Sequence, residues 1–237
     1  MDVAIRGDLA SCLTLRLAPS TWVFAIARGF GEIDGVPIAR AALARFESEC
    51  RRRTRGEARR RRLQRSPVAA STLCGALARV NGALYLRGAG HDDYVPSACS
   101  FSAVLVVQNR AYVAHAGSTA AYLVHGSDVL ALTAGDTFEE DKTAPVLARA
   151  LGIGPTLTFS VSSIALEAGD TLALCGHALR ETIDSRRFVE SLESGPEEQV
   201  LRVRYEPSDD VPAAGEVAPG RFTRFFRALL SAARSHR

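Results

Sequence analysis

The chain has 237 residues, 47% of them apolar and 23% charged, with 29 basic against 26 acidic side chains. That composition supplies a sizeable core, excludes disorder over the whole length, and allows one fairly large domain or two small ones. The net charge of +3 is distributed locally, because Lys142 is the only lysine and arginine carries nearly all of the positive charge.

Two apolar runs, Cys12 to Leu17 and Trp22 to Ala27, are split by Ala18-Pro19-Ser20-Thr21 and read as a hairpin. Arg28-Gly29-Phe30-Gly31-Glu32 is a glycine loop, and from Val36 a helical pattern runs through Ile38, Ala42, Leu43 and Phe46. Between Arg51 and Arg65 there are nine arginines and one acid, Glu57, a stretch expected in solvent as a charged helix end or a loop. A second helix is expected over Val68 to Leu86, with Leu73, Leu77, Val80 and Leu84 facing the first. Strands follow at Phe101 to Val107, Tyr112 to Ala116, Ala120 to His125 and Val129 to Thr133, with turns at Gln108-Asn109-Arg110 and Gly126-Ser127-Asp128, and together they read as an antiparallel meander. A short helix from Pro145 to Leu151 stops at Gly152, strands come at Leu157 to Val161, Thr171 to Cys175 and Gln199 to Tyr205, and a helix is expected over Ser185 to Leu192. Strands bracketing paired helices predict an α+β fold and not a doubly wound sheet. Residues 207–220 have the composition of a linker. Beyond it, Phe222, Phe225, Phe226, Leu229 and Leu230 share one helical stripe, while Arg221, Arg224, Arg227, Arg234 and Arg237 face no acid, which predicts a basic amphipathic helix over 221–237.

Several chemistries are weighed and set aside. Gly29-Phe30-Gly31 begins a dinucleotide fingerprint, but Asp34 stands where its third glycine belongs. Cys175 has Arg180 five positions on, where a cysteine phosphatase needs six, and there is no G-x-S-x-G elbow. His91, His115, His125, His177 and His236 have no ligand spacing, so His115 and His125 read as ordinary strand histidines. The odd, scattered Cys12, Cys50, Cys74, Cys99 and Cys175 read as buried thiols in a reducing compartment. No window approaches the roughly 18 apolar residues of a membrane span, and Arg6, Asp8 and Arg16 interrupt any secretory core near the start, so a soluble cytoplasmic protein is expected.

The order of elements from Ala4 to Tyr205, with several short segments, resembles the metal-dependent (type 2C, PPM) serine/threonine protein phosphatases. Arg28-Gly29-Phe30-Gly31 is similar to that family's D-G-x-G-G loop, and Ala78-Arg79-Val80-Asn81 to its alanine-asparagine helix end. Tyr112 to Leu123, through Gly117-Ser118, resembles the strand pair around G-D-S-R. Leu132-Thr133, Leu147 to Gly152, and Ala168 to Leu179 resemble the leucine-threonine, t-r-a-l-G and p-G-D…C-S-D-G-L segments. Glu198-Gln199 stands at the final aspartate-asparagine pair, and Arg6 at the arginine of R-x-x-N-E-D. The resemblance implies two antiparallel β-sheets sandwiched between pairs of helices, over residues 1–206.

It also implies a two-metal site, and here the chain departs from the family. The metal aspartates are replaced by Arg28, Ser118 and His177, and only Glu198 remains a carboxylate. A divalent ion about 4 Å from a guanidinium is repelled by about 8 kcal/mol at an effective dielectric near 20. Millimolar affinity corresponds to only about 4 kcal/mol. Ala134 to Ala144 and His177 to Glu198 are also short where the family carries a flap and a longer insertion. The resemblance with these departures implies a bacterial-type pseudophosphatase, a signalling module without metal cofactor or hydrolysis. Its expected pocket holds Arg6, Arg28, Gly29, Ser118, His177 and Glu198, with Arg28 buried in the metal position against Glu198 or Glu32. Its expected partner is a protein, with a phosphoprotein or kinase-pathway component in view. Arg221, Phe222, Arg224, Phe225, Phe226, Arg227, Leu229 and Leu230 are the expected contacts to a partner or an anionic membrane surface, and nucleic acid is not expected. The alternative is an active, divergent serine/threonine phosphatase using Mg or Mn held by Glu198, His177 and Asp209 or Asp210.

Overall fold

The computed structural model describes residues 1–6, 11–33, 36–58, 66–89, 97–134, 136–138, 146–147, 149–176 and 200–206. In chain order these form β1 (Asp2–Arg6), β2 (Cys12–Ala18), β3 (Thr21–Phe30), β4 (Glu32–Ile33), β5 (Val36–Pro37), α1 (Ile38–Ala58), α2 (Ser66–Ala89), β6 (Ala98–Val107) and β7 (Arg110–Ala116). They continue with β8 (Ala120–His125), β9 (Asp128–Ala131), β10 (Thr137–Phe138), β11 (Val146–Leu147), β12 (Ser160–Ala165), β13 (Thr171–Cys175) and β14 (Val200–Arg204). The larger strands make two five-stranded sheets, in the orders β12-β7-β6-β3-β2 and β1-β14-β13-β8-β9, and every strand pairing in them is antiparallel.

Alternation along the first sheet separates its two faces. Val23, Ala25, Ala27, Phe101, Ala103, Leu105, Tyr112 and Ala114 share a core with Ile38, Ala42, Phe46 and Cys50 of α1 and Leu73, Leu77, Val80 and Leu84 of α2. Phe46 and Phe101 meet edge to face at 5.0 Å across that layer. The intervening Phe24, Ile26, Val104, Val106, Ala111 and Val113 are buried too, and β3 contacts β13, so the opposite face lies against the second sheet. The second sheet also buries both faces: Leu172 and Leu174 alternate with Ala173 and Cys175, which cluster with Ala120, Tyr122 and Val124. The α+β architecture of two antiparallel sheets with a helix pair follows the expectation. The helix expected over Ser185 to Leu192 lies outside the described residues, as do the linker and the segment 221–237.

Several expected elements are corrected. The meander is divided: β6 and β7 pair in the first sheet, β8 and β9 in the second, and Gly117-Ser118-Thr119 crosses between them. Gly117 takes φ 105°, and a Cβ there would run into Ser100, so only glycine turns the chain at this point. The helix expected over Pro145 to Leu151 is not formed at its described residues: Val146 and Leu147 pair with Phe138 and Thr137, and Leu151 bridges to Cys99. Gly152 turns with φ 89° in a loop instead of ending a helix. The strand expected at Leu157 to Val161 begins at Ser160 and runs to Ala165 as an edge strand on β7, where Ser162 and Ser163 are exposed. α1 starts at Ile38, because Val36 and Pro37 pair with Ile33 and Glu32 first. β1, for which no strand is expected, pairs along its whole length with β14. Of the thiols, Cys50, Cys99 and Cys175 are buried but Cys12 and Cys74 are only partly so. Burial pushes the Cys50 and Cys99 thiols up to about 12, so both stay protonated.

Candidate functional site

β3 carries the first part of the site. Phe24, Ile26, Arg28 and Phe30 alternate on the face toward the second sheet, and the strand runs out of the core as it goes: Phe24 and Ile26 are fully buried, Arg28 is exposed, and Phe30 is 44% exposed. Gly29 faces α1 instead. A Cβ there would stand 2.5 Å from Ala39 N and 2.8 Å from the Ile38 Cβ, so glycine at this position lets the strand end touch the helix start.

Arg28 is the cross-strand partner of Ser100 on β6. Ser100 Oγ accepts from the Ser118 backbone N–H at 3.0 Å and lies 3.1 Å from Ser118 Oγ. Two residues beyond Ser118, Ala120 pairs with Cys175, Cys175 with Val200, and Val200 with Arg6. The short connector therefore ties the Arg28 end of the first sheet to the end of the second where β13 stops, β14 starts and Arg6 closes β1. The structure brings Arg28 and Gly29 together with Ser118, while the backbone of Arg6 lies at the same end of the second sheet, three strands across from Ala120. His177, Glu198, the Arg6 side chain and Arg221, Phe222, Arg224, Phe225, Phe226, Arg227, Leu229 and Leu230 lie outside the described residues.

The expected burial of Arg28 in a metal position is corrected. Its side chain is exposed, and its guanidinium has no ion pair with a described residue. An arginine needs no buried carboxylate when water solvates it.

Behind Ser118 lies a buried polar floor that sequence reasoning missed. Ser102 Oγ sits 2.8 Å from Thr119 Oγ1 and 3.0 Å from His115 Nδ1, and Ser102, His115 and Thr119 are fully buried. Asp136 Oδ2 accepts from the Gly117 N–H at 3.0 Å, its Oδ1 accepts from Arg149, and Arg149 also donates to Ser160 Oγ at 3.0 Å. The available signal was Ser100-Phe101-Ser102, two hydroxyls at i and i+2 in a strand otherwise apolar on both faces. Ser102, His115 and Asp136 carry the residue types of a nucleophilic triad, but His115 Nε2 is 3.7 Å from Asp136 Oδ2, beyond a hydrogen bond, and no substrate reaches a fully buried hydroxyl. The floor holds the connector in place.

A divalent cation does not fit what the described residues offer. A pair of hard ions needs a cluster of carboxylate and other oxygen ligands. The described end of the sandwich presents a guanidinium and two hydroxyls, while both oxygens of Asp136 are already used. Among the described residues no group of three or more His, Cys, Asp or Glu side chains converges.

No family model and no curated protein matches the chain. Solved structures do. PppA, a key regulatory component of T6SS in Pseudomonas aeruginosa, is 18% identical with a TM-score of 0.61, over 86% of this chain and 96% of that one. The Mycobacterium tuberculosis serine/threonine phosphatase PstP/Ppp is 18% identical with a TM-score of 0.60, over 86% and 98%. The serine/threonine phosphatase Stp1 from Staphylococcus aureus is 13% identical with a TM-score of 0.62, over 86% and 94%. The catalytic domain of PstP in complex with two manganese ions matches with a TM-score of 0.58 at 19% identity, over 85% and 96%. The chain has the fold of PPM-type serine/threonine phosphatases.

Proposed function

We propose that this chain uses a PPM-type phosphatase fold as a catalytically inactive binding or regulatory module in the cytoplasm, engaging a protein partner and needing no divalent metal. The observation that carries the reading is Arg28, an exposed cation at the end of β3, beside the Ser100–Ser118 pair, where the resemblance implies an aspartate bridging two metals. Ser118 and His177 support it, because each replaces a further aspartate of the resembling pattern with a residue that brings no carboxylate. A kinase-pathway component or another phosphoprotein is the partner class such a module suits.

That similar structures are serine/threonine phosphatases, one of them holding two manganese ions, favours a second reading: a divergent metal-dependent serine/threonine phosphatase. Manganese titration by calorimetry separates the two. The wild-type chain should show no binding heat, and the Arg28→Asp, His177→Asp double variant should gain it. Clear wild-type binding, with hydrolysis of a phosphoserine peptide lost in Glu198→Ala, would establish the second reading instead.

A further inference from the structure

We propose that the outer face of the α1–α2 helix pair docks on an anionic membrane surface, its arginines meeting lipid headgroups and Leu86 entering the apolar edge of the bilayer. The two helices cover the face of the first sheet opposite to Arg28, so this docking is independent of what the Arg28 end binds.

The charge of the chain is sorted between its layers. Residues 38–89, from the start of α1 to the end of α2, hold thirteen arginines and three acids, a net +10, whereas all other residues hold sixteen basic and 23 acidic side chains, a net −7. The +3 of the whole chain conceals this division. A layer so charged raises the local concentration of anions on one side of the molecule.

The arginines of α1 are turned outward and outnumber the acids beside them. Arg45, Arg52 and Arg55, spaced by seven and three, lie on one exposed stripe. Glu49 is the ion-pair partner of Arg45, Arg52 and Arg53 together, so one carboxylate serves three guanidiniums. Arg55 and, on α2, Arg79 are exposed and have no ion pair with a described residue. Arg53 donates to the Gly75 carbonyl at 3.0 Å, and a Cβ at Gly75 would run into its guanidinium. Glycine there lets the positive charge of α1 extend over the second helix. Residues 59–65, which join the two helices, add five more arginines and no acid.

The apolar part of the face comes from α2. That helix contains no acid, and Ala78, Ala83 and Leu86 are exposed on it. Leu86 is 71% exposed, more than any other large hydrophobic among the described residues. Arg79, Ala83 and Leu86, spaced by four and three, stand on the side of α2 away from the buried Leu73, Leu77 and Val80. Basic side chains around a bare leucine suit the membrane interface, where headgroup phosphates and carboxylates take the guanidiniums and the acyl region takes the leucine. A nucleic acid offers the phosphates but nothing for Leu86, and no described aromatic ring of either helix is exposed for a base to stack on.

The test is flotation of the full chain with vesicles of phosphatidylcholine alone and of phosphatidylcholine mixed with phosphatidylserine, beside anisotropy with a short labelled duplex DNA, a polyanion without an apolar interior. The chain should float with the mixed vesicles and not with the neutral ones, and high salt should release it. The Arg55→Glu, Arg79→Glu double variant should lower vesicle affinity about tenfold or more. Leu86→Ser should weaken vesicle binding and leave any DNA binding unchanged. Segment 221–237 is also basic, so Arg224→Glu, Arg227→Glu is measured alongside. Circular dichroism of each variant separates lost contacts from lost folding, and the three side chains changed on α1 and α2 are exposed. Full vesicle affinity in Arg55→Glu, Arg79→Glu, with loss confined to the Arg224→Glu, Arg227→Glu variant, overturns the assignment. Equal binding to neutral vesicles or no vesicle binding at all overturns it as well. DNA binding tighter than vesicle binding, with Leu86→Ser without effect on either, would make the face a nucleic-acid surface instead.

Discussion

Ser100 and Ser118, eighteen residues apart, join the two sheets: the Ser118 N–H donates to Ser100 Oγ at 3.0 Å, and the two hydroxyl oxygens lie 3.1 Å apart. Because Ser100 pairs with Arg28 and Ser118 leads into β8, this contact sets how the exposed guanidinium sits relative to the second sheet. Ser100→Ala removes the acceptor of a buried N–H and should destabilise the chain by about 1–3 kcal/mol. Urea unfolding measures it, and an unchanged midpoint would mean that water replaces the serine.

Gly29→Ala should be destabilising although alanine suits a strand better. The new methyl would meet Ala39 N at 2.5 Å and the Ile38 Cβ at 2.8 Å, so β3 or α1 must shift. Overpacking of this kind costs about 1–3 kcal/mol. A variant as stable as the wild type would show that the strand end yields freely.

Asn81 pins α2 to a distant loop. Its Oδ1 accepts from the Gly152 N–H at 2.9 Å and its Nδ2 donates to the Gly154 carbonyl at 3.0 Å. Asn81→Ala leaves a buried N–H and a half-buried carbonyl without these partners, for an expected loss of about 1–3 kcal/mol. Asn81→Asp keeps the acceptor for Gly152 but sets a buried carboxylate oxygen against the Gly154 carbonyl, and should lose at least as much. An unchanged unfolding midpoint in Asn81→Ala would mean that water replaces the amide.

One contribution to stability should fade at alkaline pH. His125 Nδ1 lies 2.6 Å from Asp170 Oδ1, and this hydrogen bond raises the imidazole pKa above 6.5, helped by the charges of Asp170, Glu167 and Asp128 and opposed by partial burial. The native state holds the proton more tightly than the unfolded chain. The contribution is therefore full below the unfolded pKa and lost as pH rises through the higher folded value. The stability gap between wild type and His125→Gln should shrink as pH rises through and above 6.5, and a constant gap would refute the coupling. The imidazole is 45% exposed, so the gap should be small.

Glu49 works in the opposite direction. Its hydrogen bond from Arg52, with the charges of Arg52, Arg45 and Arg53, lowers its pKa below 4.5 against the burial that raises it. Its stabilisation is present above the unfolded pKa and is lost as pH falls through the lower folded one. Glu49→Gln should shift the acid-unfolding midpoint and flatten stability on the acid side. An identical acid limb in the variant would remove Glu49 from the account.

Much of the fold was legible locally. The apolar spacing of Leu73, Leu77, Val80 and Leu84 gave the helix face that is buried, and Thr171 to Cys175 and Ala120 to His125 form strands at the expected bounds. The substitution of Arg28 and Ser118 for acids is likewise a property of residue order. The division of β6 to β9 between two sheets was not legible, because strands buried on both faces read as continuous apolar runs with no marked side. The helix expected at Pro145 failed for a related reason: Val146 and Leu147 suit either geometry, and pairing with β10 decides.

The sequence by itself determined the α+β class, the helix pair, the order of its segments along a phosphatase-like pattern and the chemical types at the candidate site. The tertiary structure alone decided that Arg28 is solvated and not buried, and that Ser102, His115, Thr119 and Asp136 form a sealed floor behind Ser118. It also set the pairing of Asn81 with Gly152. Exposure and hydrogen-bond partnership depend on which strands stack, and that is settled by contacts between residues far apart in the chain, which leave no periodic mark on the local sequence.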